Sequence, residues 1–241
     1  MGQRWRSIRR SFRQLSPTYR RVEKLEGKIK KLERIVAGLA EMELGERQIA
    51  SALDDVRADH LGRYEFAARY LRPNMEVLDI ACGVGYGTYI LARAEPTAHI
   101  VGVDIAQQAL DFAARHYKLD NNTFQQGDCL TVYLPREGFD LIVSFETIEH
   151  IDGDHVFFSR IFDTLRAGGT FICSTPNQSV TPFSTEKFPY HHRHYTFQEI
   201  SLLLESNGFF IEKVFSQHSK HKKDVIEGSD GAFHIVVCRK R

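Results

Sequence analysis

Val77-Leu78-Asp79-Ile80-Ala81-Cys82-Gly83-Val84-Gly85-Tyr86-Gly87 is the stretch that decides the fold. An apolar, strand-like run enters a turn rich in glycine, and a helix-length segment at 86–95 follows. Glycine tolerates positive φ and lets backbone approach a ligand with no Cβ in the way. A turn of this kind at the carboxyl edge of a first strand is where open α/β sheets take their ligands. Gly83, Gly85 and Gly87 alternate. The dehydrogenase fingerprint is instead Gly-x-Gly-x-x-Gly, with the third glycine packing helix on strand, so this spacing argues against a dehydrogenase. Taken alone, the turn is also compatible with a strand-to-helix connection that holds nothing.

The next two strands change that. Ile100-Val101-Gly102-Val103-Asp104 sets a carboxylate at a strand end 21 residues after Gly83, where it can accept hydrogen bonds from two ribose hydroxyls. Phe124-Gln125-Gln126-Gly127-Asp128-Cys129 ends a third strand in another carboxylate, available to an adenine amino proton. Three successive strand ends thus offer groups to the tail, ribose and base of one adenosine ligand.

Working outward, the strand-like runs at 76–80, 98–103, 122–126, 139–144 and 169–174 alternate with helix-length segments at 86–95, 106–118 and 153–166. That alternation predicts right-handed crossovers and a mostly parallel sheet with helices on both faces. An earlier helix carrying Leu61, Tyr64, Phe66, Ala67, Tyr70 and Leu71 ends before Pro73, which disfavours a helical residue ahead of it. The end of the chain reads differently. A helix at 196–207 closes on Asn207-Gly208, and runs at 209–217 and 231–238 suggest an antiparallel hairpin at one edge.

The composition, 42% hydrophobic and 26% charged over 241 residues, is that of a globular protein, and no apolar run approaches the ~20 residues that cross a bilayer. Cys82, Cys129, Cys173 and Cys238 form no CxxC pair and read as buried thiols of a reduced, cytoplasmic protein. Residues 1–34 hold twelve Lys/Arg against three Glu, a net of +9, which leaves −8 for residues 35–241. An acidic body argues against a long nucleic-acid footprint, because phosphate binding needs clustered cations.

The basic end has two parts. Residues 1–16 carry five arginines, with Trp5, Ile8, Phe12 and Leu15 spaced along one helical face. A surface-lying amphipathic arm, a transit segment and a solvated tail all fit that pattern. From 18 to 45, Val22, Leu25, Ile29, Leu32, Val36 and Leu39 keep an unbroken heptad register. Val and Ile at a with Leu at d favour a parallel dimer, and Arg21 and Lys28 at g face Glu26 and Glu33 at e across it. The expected organisation is an arm at 1–16, a coiled-coil helix and linker at 17–58, and a catalytic domain at 59–241.

After strand four comes Ser144-Phe145-Glu146-Thr147-Ile148-Glu149-His150. Two carboxylates and an imidazole so close together suit a divalent metal or an acid/base pair, and equally a solvated helix start. Beyond strand five, Thr175-Pro176-Asn177 leads to Tyr190-His191-His192-Arg193-His194-Tyr195-Thr196. A parallel sheet brings these two loops side by side.

On these motifs, with Phe139-Asp140-Leu141-Ile142-Val143-Ser144 as strand four and Leu165-Arg166-Ala167-Gly168-Gly169-Thr170 before strand five, residues 59–241 resemble a class I S-adenosylmethionine-dependent methyltransferase. The resemblance implies a Rossmann-like seven-stranded sheet in the order 3-2-1-4-5-7-6, with strand seven antiparallel. It implies S-adenosyl-L-methionine as cofactor. Asp79 and the loop with Ala81, Cys82, Gly83 and Gly85 would face its methionine end, Asp104 its ribose, and Asp128 and Cys129 its adenine, with Ile105 and Ser144 also among the cofactor-binding residues. Ala81 stands where the family usually has glycine, and Ala167 where it usually has proline.

The Glu-x-x-Glu-His element further resembles that of metal-dependent O-methyltransferases. That likeness implies Glu146, Glu149, His150 and His191 as ligands of Mg²⁺ or Mn²⁺, with His192 second to His191; His150 acting alone as general base is the metal-free version. The arrangement of motifs is similar to bacterial methyltransferases associated with surface polysaccharides, which implies O-methylation of a sugar hydroxyl or sugar phosphate in a glycan or glycolipid. A small-molecule or quinone-like hydroxyl follows, then RNA 2′-O-methylation. A dimer would hold its basic arms against an anionic membrane at the cytoplasmic face. A non-catalytic coiled-coil scaffold is the reading from another class, and it would need no cofactor.

Overall fold

In the computed structural model, residues 47–241 are described, together with positions 21, 22, 24, 25 and 28, which are helical. A compact unit spans Glu46–Arg241. Its sheet consists of β1 (Glu76–Ile80), β2 (His99–Asp104), β3 (Asn122–Gln126), β4 (Phe139–Phe145), β5 (Leu165–Pro176), β6 (Phe209–Gln217), β7 (Ile226–Glu227) and β8 (Phe233–Lys240). The helices are α1 (Ala58–Ala67), α2 (Tyr86–Ala94), α3 (Gln107–His116), α4 (Asp154–Thr164) and α5 (Phe197–Ser206).

The strand order is β3-β2-β1-β4-β5-β8-β6-β7. The first five strands are parallel, and β8 runs antiparallel between β5 and β6. This is the mixed sheet expected, with one correction: it has eight strands, not seven. The added β7 pairs only Ile226 and Glu227 with Ser216 and Phe215. Two residues of ladder leave no period-2 pattern for a sequence reading to detect.

β1 lies at the centre because Val77, Leu78 and Ile80 are wholly buried, apolar on both faces as suits a strand covered on both sides. One layer of core joins Leu78, Ile142, Phe158, Ile161, Phe171, Ile200 and Val236 beneath α4 and α5. Helix α5 starts where predicted because Thr196 and Glu199 form a reciprocal capping box. The stretch read as linker up to residue 58 belongs partly to the compact unit: Ala50 and Val56 are buried, and Tyr117 Oη donates to the Ala50 carbonyl at 2.6 Å. Among the described residues, no helix is long and apolar enough to cross a membrane. The arm at 1–16 and nearly all of the heptad segment lie outside the described residues. Of that segment's apolar seam, Val22 and Leu25 are helical and about half exposed.

Candidate active site

The β1–α2 turn sits at the carboxyl edge of the sheet. Ala81, Gly83 and Gly85 have φ of +62°, +57° and +86°, so Ala81 adopts a left-handed conformation that costs an L-residue ~1–2 kcal/mol. A Cβ added at Gly83 would enter open space, whereas one at Gly87 would run into the Tyr64 ring on α1. The glycines therefore do different work: Gly83 keeps backbone open toward the cleft and Gly87 lets α1 pack. Asp79 is fully buried. Thr88 Oγ1 and Tyr64 Oη donate to its carboxylate at 2.7 and 3.1 Å, yet burial pushes its pKa up to about 7.

Asp104, 2% exposed, ends β2 and ties the first turn to the second strand. Its carboxylate accepts from the Gly83 and Ala106 amides, each at 2.9 Å, and pairs with Arg47 at 2.9 Å. Ile105 beside it is exposed. At the end of β3, Asp128 Oδ1 accepts the Leu130 amide at 2.8 Å, and burial pushes the Cys129 thiol up to about 12. The buried Ser144 Oγ at the end of β4 has no hydrogen-bond partner among the described residues. An open glycine turn, a buried carboxylate behind it, carboxylates at the next two strand ends and an orphaned hydroxyl fit an adenosine ligand with a charged amino-acid tail.

The second half of the site joins the loops after β4 and β5. Glu146 has φ +51°, which turns its carboxylate back onto Ser174 Oγ at 2.7 Å and to 3.7 Å from Arg63 Nη1. Glu149 is buried in the short turn Ile148–His150. Its Oε2 accepts from Thr175 Oγ1 at 3.1 Å, while its Oε1 has no hydrogen-bond partner among the described residues. Burial, and then the neighbouring Glu146 charge, hold its carboxyl well above the usual range. The loop after β5 is drawn in by two bonds: the His192 amide donates to the Glu149 carbonyl at 2.7 Å, and His150 Nδ1 meets the Tyr190 carbonyl at 2.9 Å.

One donor atom from each of Glu149, His150 and His191 lies within 4.8 Å of the other two. A carboxylate and two imidazoles so placed, one carboxylate oxygen of them orphaned and buried, fit a divalent cation. Of the four expected ligands, Glu146 is not in this set; its Oε1 accepts from Ser174 Oγ and lies 3.7 Å from Arg63 Nη1. His192 is exposed, and His194 is buried behind His191.

Sequence reasoning missed Arg63 as part of the site. The side chain is 1% exposed. Its Nε donates to Gln217 Oε1 at 2.8 Å and its Nη2 to Asp59 Oδ2 at 3.1 Å, and it lies 4.7 Å over the Phe233 ring. A buried guanidinium is fixed there by Asp59 and faces Glu146. The available signal was the Asp59–Arg63 pair at i, i+4; the partner 154 residues away left none.

Fold and site together define a class I methyltransferase domain, and the comparisons agree. The methyltransferase domain family matches residues 71–230. The chain belongs to that family, whose cofactor is S-adenosylmethionine. A probable S-adenosylmethionine-dependent methyltransferase of Mycolicibacterium smegmatis is 33% identical over 57% of this chain and 52% of its own length. Phosphoethanolamine N-methyltransferase 1 of Arabidopsis thaliana is 33% identical over 47% of this chain and 24% of its own length. The chain thus spans about half, or less, of these relatives. A solved S-adenosylmethionine-dependent methyltransferase from Mesorhizobium loti superposes with a TM-score of 0.62 at 17% identity, covering 76% of this chain and 99% of that one.

Proposed function

We propose that this protein is an S-adenosylmethionine-dependent O-methyltransferase, and that its acceptor is a sugar hydroxyl, or a sugar phosphate, of a glycan or glycolipid. The observation that carries O-methylation is the convergence of Glu149, His150 and His191 within 4.8 Å on the sheet edge that also bears Asp79, Asp104 and Asp128. Mg²⁺ or Mn²⁺ bound there would lower the pKa of an acceptor hydroxyl. The sulfonium methyl is already activated, so alignment and deprotonation remain for the protein to supply.

The chain's own residues divide that work. Asp79 balances the cofactor's ammonium through the β1–α2 turn, Asp104 holds the ribose, and Asp128 with Cys129 borders the adenine. Glu149, His150 and His191 hold the cation, and His150 receives the acceptor proton if none is bound. Glu146 sets the loop through Ser174 and Arg63 instead of serving as a ligand. The acceptor class rests on the likeness of the motif arrangement to bacterial surface-polysaccharide methyltransferases; a cation held there by few protein donors would accept the vicinal oxygens of a sugar or of a quinol alike. The heptad segment would pair two chains in parallel, and the basic arms would keep them at an anionic membrane where glycolipids are made.

The likeness to a phosphoethanolamine N-methyltransferase favours a second reading, methylation of an amine on a phosphate-bearing group. Transfer of labelled methyl to glycans, quinols, phosphoethanolamine and RNA, each with and without Mn²⁺, separates the readings. Mn²⁺-dependent label on a glycan is expected. Label on the amine alone, indifferent to chelation, overturns the O-methyltransferase.

A further inference from the structure

The loop after β5 holds a chain of hydrogen bonds that ends at the candidate cation site. Asn177 at its start is buried, and its side-chain amide donates to the Gly231 carbonyl at 2.8 Å. The Asn177 carbonyl accepts from the Thr181 amide at 2.7 Å, fixing Thr181. The Thr181 carbonyl meets His194 Nδ1 at 2.6 Å, and His194 Nε2 meets His191 Nδ1 at 2.7 Å. Phe188 stacks on the His191 ring at 5.1 Å and meets His194 edge-on at 4.6 Å.

The direction of this chain follows from its first acceptor. A backbone carbonyl only accepts, so His194 Nδ1 carries the proton. In neutral His194 the Nε2 is then a lone pair, and it can only accept from His191. His191 Nδ1 must donate, which leaves the Nε2 of neutral His191 unprotonated and able to act as a ligand. The same logic applies to His150, whose Nδ1 bonds the Tyr190 carbonyl and so offers Nε2.

We infer that His194 is a positioning residue: through the Thr181–His194–His191 chain it fixes the tautomer and ring orientation of His191 so that Nε2 serves the site. A histidine that binds a cation depends on such an outer partner for both properties, and loss of the partner weakens metal binding ~10–100-fold. The inference rests on the reading of Glu149, His150 and His191 as a cation site for its metal readout, but not for its tautomer readout.

Both are measured on the full chain. Long-range ¹H–¹⁵N spectra of the ¹⁵N-histidine protein, with His191 assigned through His191→Ala, should show protonated Nδ1 and unprotonated Nε2 in neutral His191. Titration with Mn²⁺ alone, followed by electron paramagnetic resonance, should weaken ~10–100-fold in His194→Ala. His194→Gln retains an acceptor oxygen for His191 Nδ1 and should recover most of that loss. An Nε2-protonated His191 in the wild type, or an unchanged tautomer and Mn²⁺ affinity in His194→Ala, overturns the inference. The expected tautomer with no Mn²⁺ binding by the wild type overturns the cation site and leaves His194 orienting a metal-free His191.

Discussion

The two halves of the sheet edge are built on opposite principles. At the ends of β1 to β3 each carboxylate has its partners within the fold: Asp79 accepts from Thr88 and Tyr64, Asp104 accepts the Gly83 and Ala106 amides and pairs with Arg47, and Asp128 accepts the Leu130 amide. At the ends of β4 and β5, loops 40 residues apart are pinned to each other by the His150–Tyr190 bond, and a buried carboxylate oxygen of Glu149 has no hydrogen-bond partner among the described residues. The first half is a frame of partnered carboxylates, suited to a cofactor common to a whole family. The second half carries an unpartnered acceptor atom among the described residues, which fits a place for a ligand.

The largest effect that would sharpen this contrast lies in Asp79. Its carboxyl stays protonated in the fold up to about pH 7 and in the unfolded chain only up to about pH 4. Cofactor-free protein therefore has this group's contribution in full below pH 4 and loses it as pH rises through 7, a change on the order of 2–4 kcal/mol. Chemical denaturation across that range should show the decline, and Asp79→Asn should flatten it. A wild-type profile that rises from pH 4 to 7 by the same amount contradicts the burial argument.

Next, Asp104→Ala should weaken S-adenosylhomocysteine binding about 100-fold, since hydrogen bonds to a charged group are worth ~1.5–3 kcal/mol each; isothermal titration reads this directly. Glu149→Gln should leave that affinity within about twofold and lower Mn²⁺ affinity by ~10–100-fold. If Glu149→Gln and Asp104→Ala impair the same ligand equally, the two halves are not separate. The smallest effect should come from Gly83→Ala, destabilising by ~1 kcal/mol from its positive φ, because its added Cβ meets no neighbour. Gly87→Ala should cost more, since Tyr64 is in the way. Melting temperatures rank the pair.

The contrast also explains what the sequence made legible. Asp79, Asp104 and Asp128 each lie in or just after one of the first three strands, so a reading along the chain could name them. The parallel pairing of the core strands followed from the strand–helix alternation, and their order from the resemblance to the methyltransferase family. Glu149, His150 and His191 were nameable because parallel strands bring the loops after β4 and β5 together. The turning of Glu146 onto Ser174 was not, because it depends on φ at one residue and on Arg63 from another helix. Gln217 holding Arg63, and Ile226–Glu227 adding an eighth strand, rest on contacts made only after the chain has closed. Such contacts leave no periodicity.

The central claim is that the ends of β1 to β3 form an S-adenosylmethionine site in this chain. Isothermal titration of the wild-type protein with S-adenosylhomocysteine tests it most directly. Saturable one-to-one binding, abolished or about 100-fold weaker in Asp104→Ala, is the predicted result; no binding by a folded wild-type protein would contradict it.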